Sequence, residues 1–168
     1  INDKLGIALL TGNIGNVYIE LKDYSSALQF HERALAISEK INDKKGAAYN
    51  YSRIGNVYLL QKNYERASAF ELKALDFAES TGSLNTASEA LRYLSQIYEA
   101  TEKYDSAYLA YSGHIILRDS MNNLENQKEA TKRTLQFEFS KKEDSLRQYQ
   151  IITDAKLLQQ TLLAAKQQ

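Results

Sequence analysis

The chain has 168 residues, of which 43% are hydrophobic and 25% are charged, a composition ordinary for a soluble protein that buries a core. Its 21 basic and 21 acidic side chains balance, so no net positive field favours nucleic acid or an anionic membrane as a partner. The absence of cysteine excludes disulfides and thiolate metal sites, and it leaves the redox compartment undetermined.

One phrase returns at a constant interval along the chain. GNIGNVY at residues 12–18 recurs as SRIGNVY at 52–58 and, more loosely, as RYLSQIY at 92–98. The interval is 40 residues both times, from Ile14 to Ile54 and from Ile54 to Leu94. A fixed period of about 20 to 50 residues is typical of a stacked repeat array. The phrase therefore belongs to a repeating unit rather than to a single site.

Each unit is predicted to begin with a helix, called helix A below. Asp3, Asp43 and Ser83 share one column, and their side chains can accept a hydrogen bond from the free N–H groups that open a helix. Further on, an aliphatic residue is followed four positions later by a tyrosine, which places both on one helical face. These pairs are Ile14 and Tyr18, Ile54 and Tyr58, and Leu94 and Tyr98.

A second helix, helix B, is predicted after the short polar breaks LKDY, QKNY and TEKY. Small residues at Gly15, Gly55 and Ser95 allow the two helix backbones to approach closely. Alanines recur in helix B at Ala27, Ala67 and Ala107, and again at Ala34 and Ala74, where the third unit has His114. Each unit is thus predicted to be an antiparallel helix pair.

These columns resemble the tetratricopeptide repeat, in which a small residue and an aromatic in helix A precede alanines and aromatics in helix B. The first two units match closely, and the third departs at Ser95 and His114. The chain has no proline after helix B, and its period exceeds the common one of about 34 residues, which indicates a subclass with longer helices. The resemblance implies an all-α fold. It predicts a right-handed α-solenoid of antiparallel helix pairs in residues 1–121, followed by one long C-terminal helix in residues 122–168.

The start of the chain repeats an internal junction. INDKLG at 1–6 matches INDKKG at 41–46, so Ile1 corresponds to the end of a preceding helix B. We therefore expect the chain to be part of a longer array with at least one repeat upstream. No apolar run in it reaches the roughly 18 residues that a membrane span needs, and no signal peptide is recognisable. A membrane span is expected only outside this stretch.

Residues 123–168 do not continue the repeat. Thr134, Glu138 and Arg147 stand where helix A and helix B carry apolar or small residues, and no glycine or proline follows Gly113. One long helix is predicted, although the alternation in TLQFEF is also compatible with a short strand. Its first half is expected to cap the third repeat, and its second half to lack a partner within the chain. The apolar seam of that half favours a homodimer through Leu146, Tyr149, Ile152, Ala155, Leu158 and Leu162.

The repeats together with ILRDSMNNLENQKEATKRTLQFEFSKKEDSL are similar to the sensor portion of bacterial membrane-bound histidine kinases and related signalling proteins. That resemblance implies a membrane span soon after Gln168, an output domain beyond it, and a location on the periplasmic side of the inner membrane. Without it, a cytoplasmic location is expected. A scaffold or oligomerisation module without a signalling role is the alternative.

Catalytic and metal chemistry are not expected. His31 and Glu32 in FHERAL invite comparison with the phosphoacceptor of a histidine kinase, but His31 shares its helix B column with Glu71 and Tyr111, which favours packing. His114 has no partner at a metal-ligand spacing, and the chain has neither a P-loop nor a G-x-S-x-G elbow. No enzyme activity, cofactor or metal is predicted.

A binding surface is predicted on helix A, which lines the concave face in arrays of this kind. Asn16, Asn56 and Gln96 follow the small-residue column, and a ladder of amides can pair with the backbone of an extended peptide. The amides can instead bridge neighbouring repeats or stay solvated, and Arg53 and Arg92 are candidates to receive a carboxylate or phosphate. The predicted peptide-binding set is Asn16, Asn56, Gln96, Ser52, Arg92, Tyr49, Leu59 and Arg53.

Overall fold

A computed structural model describes the backbone of residues 3–166, and the side chains of residues 3–151, 153 and 154. This part of the chain forms six α-helices and no strand, arranged as a tetratricopeptide-like helical solenoid. The all-α prediction is confirmed, and TLQFEF lies inside a helix. The helices are α1 (Lys4–Glu20), α2 (Tyr24–Lys40), α3 (Lys44–Leu60), α4 (Tyr64–Thr81), α5 (Leu84–Ala100) and α6 (Tyr104–Lys166).

The helices begin where the capping column predicts. The Oδ1 atoms of Asp3 and Asp43 accept hydrogen bonds from the backbone N–H groups of Gly6 at 2.9 Å and Gly46 at 3.0 Å. The third member of the column differs, because the Ser83 hydroxyl makes no cap bond to the backbone. Two of the three predicted caps are therefore present, and α5 begins without a side-chain cap.

A single residue in the left-handed region turns the chain between successive helices. Lys22, Lys62 and Glu102 adopt this conformation between helix A and helix B, with φ of 58°, 60° and 59°. Between repeats the same role falls to Asn42 and Gly82, with φ of 58° and 64°. Since the left-handed conformation costs a residue with a Cβ roughly 1–2 kcal/mol, four of these five turns carry a small local strain.

The glycine column brings helix A against helix B. A Cβ placed on Gly15 would lie 2.7 Å from the His31 ring, and one placed on Gly55 would lie 2.6 Å from Glu71 Oε1. Both distances are too short for a side chain to be accommodated without movement. The predicted close approach is therefore real, and a polar helix B residue occupies the space each glycine leaves.

The A helices form the inner layer of the array. In the described residues the backbone of α1 comes close to that of α3, and the backbone of α3 to that of α5, whereas the backbones of the B helices α2 and α4 stay further apart. The array therefore curves towards the A helices. The core between the second and third repeats includes Ile54, Tyr58, Ala67 and Ile97, and the Tyr58 ring stacks on Phe70 with centroids 5.5 Å apart.

One face of α1, formed by Leu10, Ile14 and Val17, is apolar and exposed to solvent. Ile14 is 44% exposed, whereas Ile54 in the same column is 0% exposed because α3 packs on the first helix pair. Leu10 and Val17 are likewise exposed, although their columns are buried in α3 and α5. The equivalent face of α3 and α5 is buried by packing on a neighbouring helix pair, whereas in α1 it is exposed.

The chain divides into two compact units, residues 1–122 and 123–168. Residues 123–166 of the second unit belong to α6, where the apolar residues Leu135, Phe139, Leu146 and Tyr149 are exposed. The capping role stays a prediction. The remaining seam residues, Ile152, Ala155, Leu158 and Leu162, have side chains outside the described set. No helix in the described residues is both long enough and apolar enough to cross a membrane.

Candidate functional site

Tyr49 joins the first three A helices on the inner layer. Its phenolic oxygen accepts a hydrogen bond from Asn16 Nδ2 at 2.7 Å, and the Arg53 guanidinium lies 4.8 Å from the centre of its ring. Arg53 also donates to a carboxylate oxygen of Glu89 at 2.7 Å. One residue from α1, two from α3 and one from α5 thus form a continuous polar network across three repeats.

The positive charge of Arg53 is already paired within this network. Burial alone would lower the pKa of Arg53, but Glu89, with Tyr49 and Tyr93, raises the pKa above its usual range. The guanidinium is therefore permanently charged and already paired with a carboxylate. An incoming carboxylate or phosphate would therefore meet the negative charge of Glu89 beside the guanidinium.

The three amides of the predicted ladder differ in their bonding. Asn16 is held by Tyr49, and its Oδ1 is buried without a hydrogen-bond partner. Asn56 is half-buried and Gln96 is exposed, and neither side chain has a hydrogen-bond partner in the part of the chain that the structure describes. The bridging alternative therefore holds for Asn16, while Asn56 and Gln96 have amides available to a ligand.

The remaining predicted residues divide between surface and interior. Arg92 is half-buried, lies 4.2 Å from the centre of the Tyr93 ring and makes no ion pair with a described residue, so it is an available cation. Ser52, in contrast, is fully buried, and Leu59 packs against the core cluster. A peptide on the surface cannot touch the Ser52 side chain in this conformation.

His31 is part of the packing between the first two repeats. It is fully buried, and its Nδ1 lies 3.1 Å from Asn50 Oδ1. Because Asn50 Nδ2 donates to the Gly46 carbonyl, Asn50 Oδ1 is the acceptor and His31 carries its proton on Nδ1. Burial lowers the pKa of His31, so the ring is neutral. The interior position agrees with the packing interpretation and removes His31 from the reach of a phosphoryl donor.

Glu71 occupies the same column one repeat later and has a less favourable environment. Burial raises its pKa to about 9, while the Ser52 hydroxyl and Arg53 act in the opposite direction. Neither carboxyl oxygen has a hydrogen bond of acceptable geometry within the described residues. The carboxyl group is therefore protonated at neutral pH, which makes it a neutral filler of the space beside Gly55.

A cavity of about 290 Å³ opens between α1 and α3 on the inner layer. Leu5 and Leu9 form its apolar wall, Gly12 forms part of its floor, and Lys45 and Tyr49 stand at its edge. Of the predicted binding residues it contains only Tyr49. The sequence does mark the cavity residues that were not predicted, because α1 carries leucines at 5 and 9 where α3 carries Lys45 and Tyr49.

No group of three or more histidine, aspartate or glutamate side chains with metal-binding geometry occurs among the described residues. The polar features of the inner layer are therefore amides, one paired arginine, one unpaired arginine and the edge of the cavity. These groups suit hydrogen bonding to a peptide backbone and contact with its side chains.

Residues 6–80 match the family model for the tetratricopeptide repeat, which covers the first two helix pairs. Comparison with curated protein sequences gives no match. The structure is similar to BtubC (BKLC) from P. vanneervenii, with a TM-score of 0.62 and 19% identity over 69% of this chain and 48% of that one. It is also similar to aspartyl phosphate phosphatase F from Bacillus subtilis, with a TM-score of 0.67 and 17% identity over 74% and 33% of the two chains.

A third similar structure is the TPR domain of Arabidopsis FLU, with a TM-score of 0.65 and 14% identity over 70% of this chain and 98% of that one. At these identities the likeness shows the fold alone. The chain spans about half the length of BtubC and a third of the phosphatase. The family match covers residues 6–80, and the described helices have a tetratricopeptide-like fold, which suggests a protein interaction module.

Proposed function

We propose that the inner layer formed by α1, α3 and α5 binds an extended segment of a partner protein or peptide. The observation that carries this proposal is the pair Asn56 and Gln96, whose amides lie in one column of neighbouring A helices and have no hydrogen-bond partner among the described residues. An amide can donate and accept at once, so it matches the alternating N–H and C=O groups of an extended backbone. Binding of this kind is tolerant of the peptide's sequence.

The network around Tyr49 supports the same proposal. Asn16, Tyr49, Arg53 and Glu89 connect the A helices of three repeats through contacts of 2.7 to 4.8 Å. Such a connection holds the A helices in register, so that a ligand meets a preorganised surface rather than one it must order. Arg92, unpaired at the third repeat, adds a positive charge at one end of this surface.

We further propose that the module is the sensory or interaction region of a bacterial signal-transduction protein. The resemblance of the 40-residue repeats and the stretch at residues 116–146 to the sensor portion of membrane-bound histidine kinases supports this role. A structure of similar fold is named as an aspartyl phosphate phosphatase, which is compatible with signalling although the likeness concerns fold only. The alternative, a scaffold without a signalling role, is favoured by the exposed apolar residues Leu146 and Tyr149 of α6.

The test of the binding face is selection of a random peptide library against the chain, followed by affinity measurement with the selected peptides. Asn56→Ala and Gln96→Ala are expected to weaken binding about three- to tenfold each, since each removes about one net hydrogen bond of roughly 0.5–1.5 kcal/mol. Gln29→Ala is the matched control, because Gln29 is an exposed amide on α2 in the outer layer. Equal affinity of all three variants and the parent would remove the amide face from the proposal.

A further inference from the structure

The cavity between α1 and α3 differs in chemistry from the rest of the inner layer. Its wall consists of Leu5 and Leu9, and Leu9 is 62% exposed, so the apolar surface is open to a ligand. Gly12 forms part of the floor without a side chain, and a Cβ there would lie 3.2 Å from Asn50 Oδ1. A side chain at this position would therefore press on Asn50, which also lines the cavity.

The corresponding positions of the next interface carry different residues. Forty residues later, Leu5, Leu9 and Gly12 are replaced by Lys45, Tyr49 and Ser52. Tyr49 is there bound to Asn16 and covered by Arg53, and Ser52 is buried. An apolar, side-chain-sized recess is therefore a property of the first interface, and the repeat is chemically asymmetric along the array.

Size and charge at the cavity limit what it can hold. Its volume of about 290 Å³ lies at the lower limit of small-molecule pockets, which span about 300–1,000 Å³, and suits one amino-acid side chain. Lys45 at the edge is exposed and forms no ion pair with any residue the structure describes. The nearby Asp43 carboxylate is occupied as the cap of α3 through the Gly46 N–H group at 3.0 Å. The lining thus combines an apolar wall with the exposed cation of Lys45, and its one carboxylate, Asp43, has Oδ1 directed to the start of α3.

We propose that this cavity is the anchor site for one aliphatic or aromatic side chain of the bound peptide, with a neighbouring aspartate or glutamate of the peptide paired to Lys45. The inference rests on the proposed peptide-binding function and adds a sequence preference to it. The amides of Asn56 and Gln96 would hold the backbone, while the cavity and Lys45 would select which segment binds and in which register.

The experiment uses peptides selected from a random dodecapeptide library on the parent chain, synthesised with a fluorescent label and titrated by polarisation. The selected peptides are expected to share an apolar residue next to an acidic one. Leu9→Glu is expected to weaken their binding at least tenfold, because it places a charge in the apolar wall. The matched control is Leu72→Glu, since Leu72 is a half-exposed leucine on α4 of the outer layer, and it is expected to leave affinity unchanged.

Charge reversal tests the acidic neighbour separately. Lys45→Glu is expected to weaken the selected peptides about fivefold or more, and a peptide with lysine in place of its acidic residue is expected to regain affinity for this variant alone. Circular dichroism of Leu9→Glu and Lys45→Glu should match the parent, since both side chains are exposed. Unaltered binding by a folded Leu9→Glu chain would overturn the anchor site.

The outcomes separate the anchor site from the wider binding face. Peptides weakened by Asn56→Ala but not by Leu9→Glu would support the amide face and overturn the cavity as an anchor. Peptides weakened by Leu9→Glu but not by Asn56→Ala would support the anchor site and overturn the amide ladder. Failure to select any peptide would count against both.

Discussion

The carboxyl group of Glu71 lies against the backbone of Gly55, so close that a Cβ on residue 55 would stand 2.6 Å from Oε1. The side chain of Glu71 therefore occupies the space that a side chain on residue 55 would need. Two consequences follow from this relationship, one for the charge of Glu71 and one for the size of residue 55.

The first consequence is a pH dependence of stability. Burial raises the pKa of Glu71 from 4.5 to about 9 in the folded chain, so folding favours the protonated form. The stability this provides is complete below pH 4.5 and is lost as pH rises towards 9. Glu71→Gln keeps the shape without the charge, so it is expected to raise the free energy of unfolding at pH 8 by on the order of 1–3 kcal/mol and to matter little at pH 4.5.

Urea unfolding at pH 4.5, 6 and 8 measures this difference. The control is Glu65→Gln in the first turn of the same helix, where the side chain is exposed and replacement should change stability little at any of the three values. If the free energy of unfolding falls equally for the parent and Glu71→Gln between pH 4.5 and 8, the prediction is contradicted. Glu71 would then be charged in the folded chain as it is in the unfolded one.

The second consequence concerns the size of residue 55. Gly55→Ala is expected to destabilise the fold by about 1–3 kcal/mol, because the added methyl group overlaps a side chain that is fully enclosed. Gly113→Ala is the comparison: its Cβ would meet the flexible end of Leu91 at 3.1 Å, and alanine is the better helix former. Thermal unfolding of both variants should therefore show a loss at residue 55 and little change at residue 113.

Tyr58 tests the repeat register itself. It is 9% exposed and stacks on Phe70, so Tyr58→Ala is expected to lower the free energy of unfolding by about 3–5 kcal/mol. Tyr108→Ala changes a tyrosine that is largely exposed and should cost less than 1 kcal/mol. A loss below 1 kcal/mol at Tyr58 in a chemical melt would contradict its assignment to the core.

Local features of this fold were predictable from sequence because they repeat. Asp3 and Asp43 mark helix starts, and Gly15 and Gly55 mark close contacts, through interactions within a few residues or within one helix pair. Burial was less predictable. Ile14 and Ile54 share a column and a residue type, yet one is half-exposed and the other enclosed, since only a packed neighbour distinguishes them.

The side-chain contacts of the inner layer were predicted only in part, for a related reason. The column placed Asn56 and Gln96 correctly on the A helices, but the column alone did not reveal that Arg53 pairs with Glu89, 36 residues away. That pairing depends on side-chain conformations across two repeats. The cavity at Leu5 and Leu9 was missed because sequence reasoning followed what the repeats share, whereas the cavity arises where the first repeat departs from the others.

The last prediction concerns self-association through α6. Leu146 and Tyr149 are exposed and three residues apart, so they share one face of the helix. A long amphipathic helix is marginal in water by itself, and pairing two copies buries its apolar face. The full chain is therefore expected to form a weak, concentration-dependent dimer in light scattering after size exclusion, and a chain ending near Lys142 to remain a folded monomer.

A single substitution separates pairing through this face from other effects of shortening the chain. Leu146→Lys is expected to abolish the dimer, whereas Ser145→Lys, which adds the same charge one position away on an exposed residue, should leave it intact. Since the apolar face would be buried only in the dimer, helix content measured by circular dichroism should fall on dilution for the full chain but not for the shortened one. A full chain that stays monomeric at high concentration would show that α6 does not pair with a second copy, and it would remove the reason for giving this helix a role in transmitting a signal.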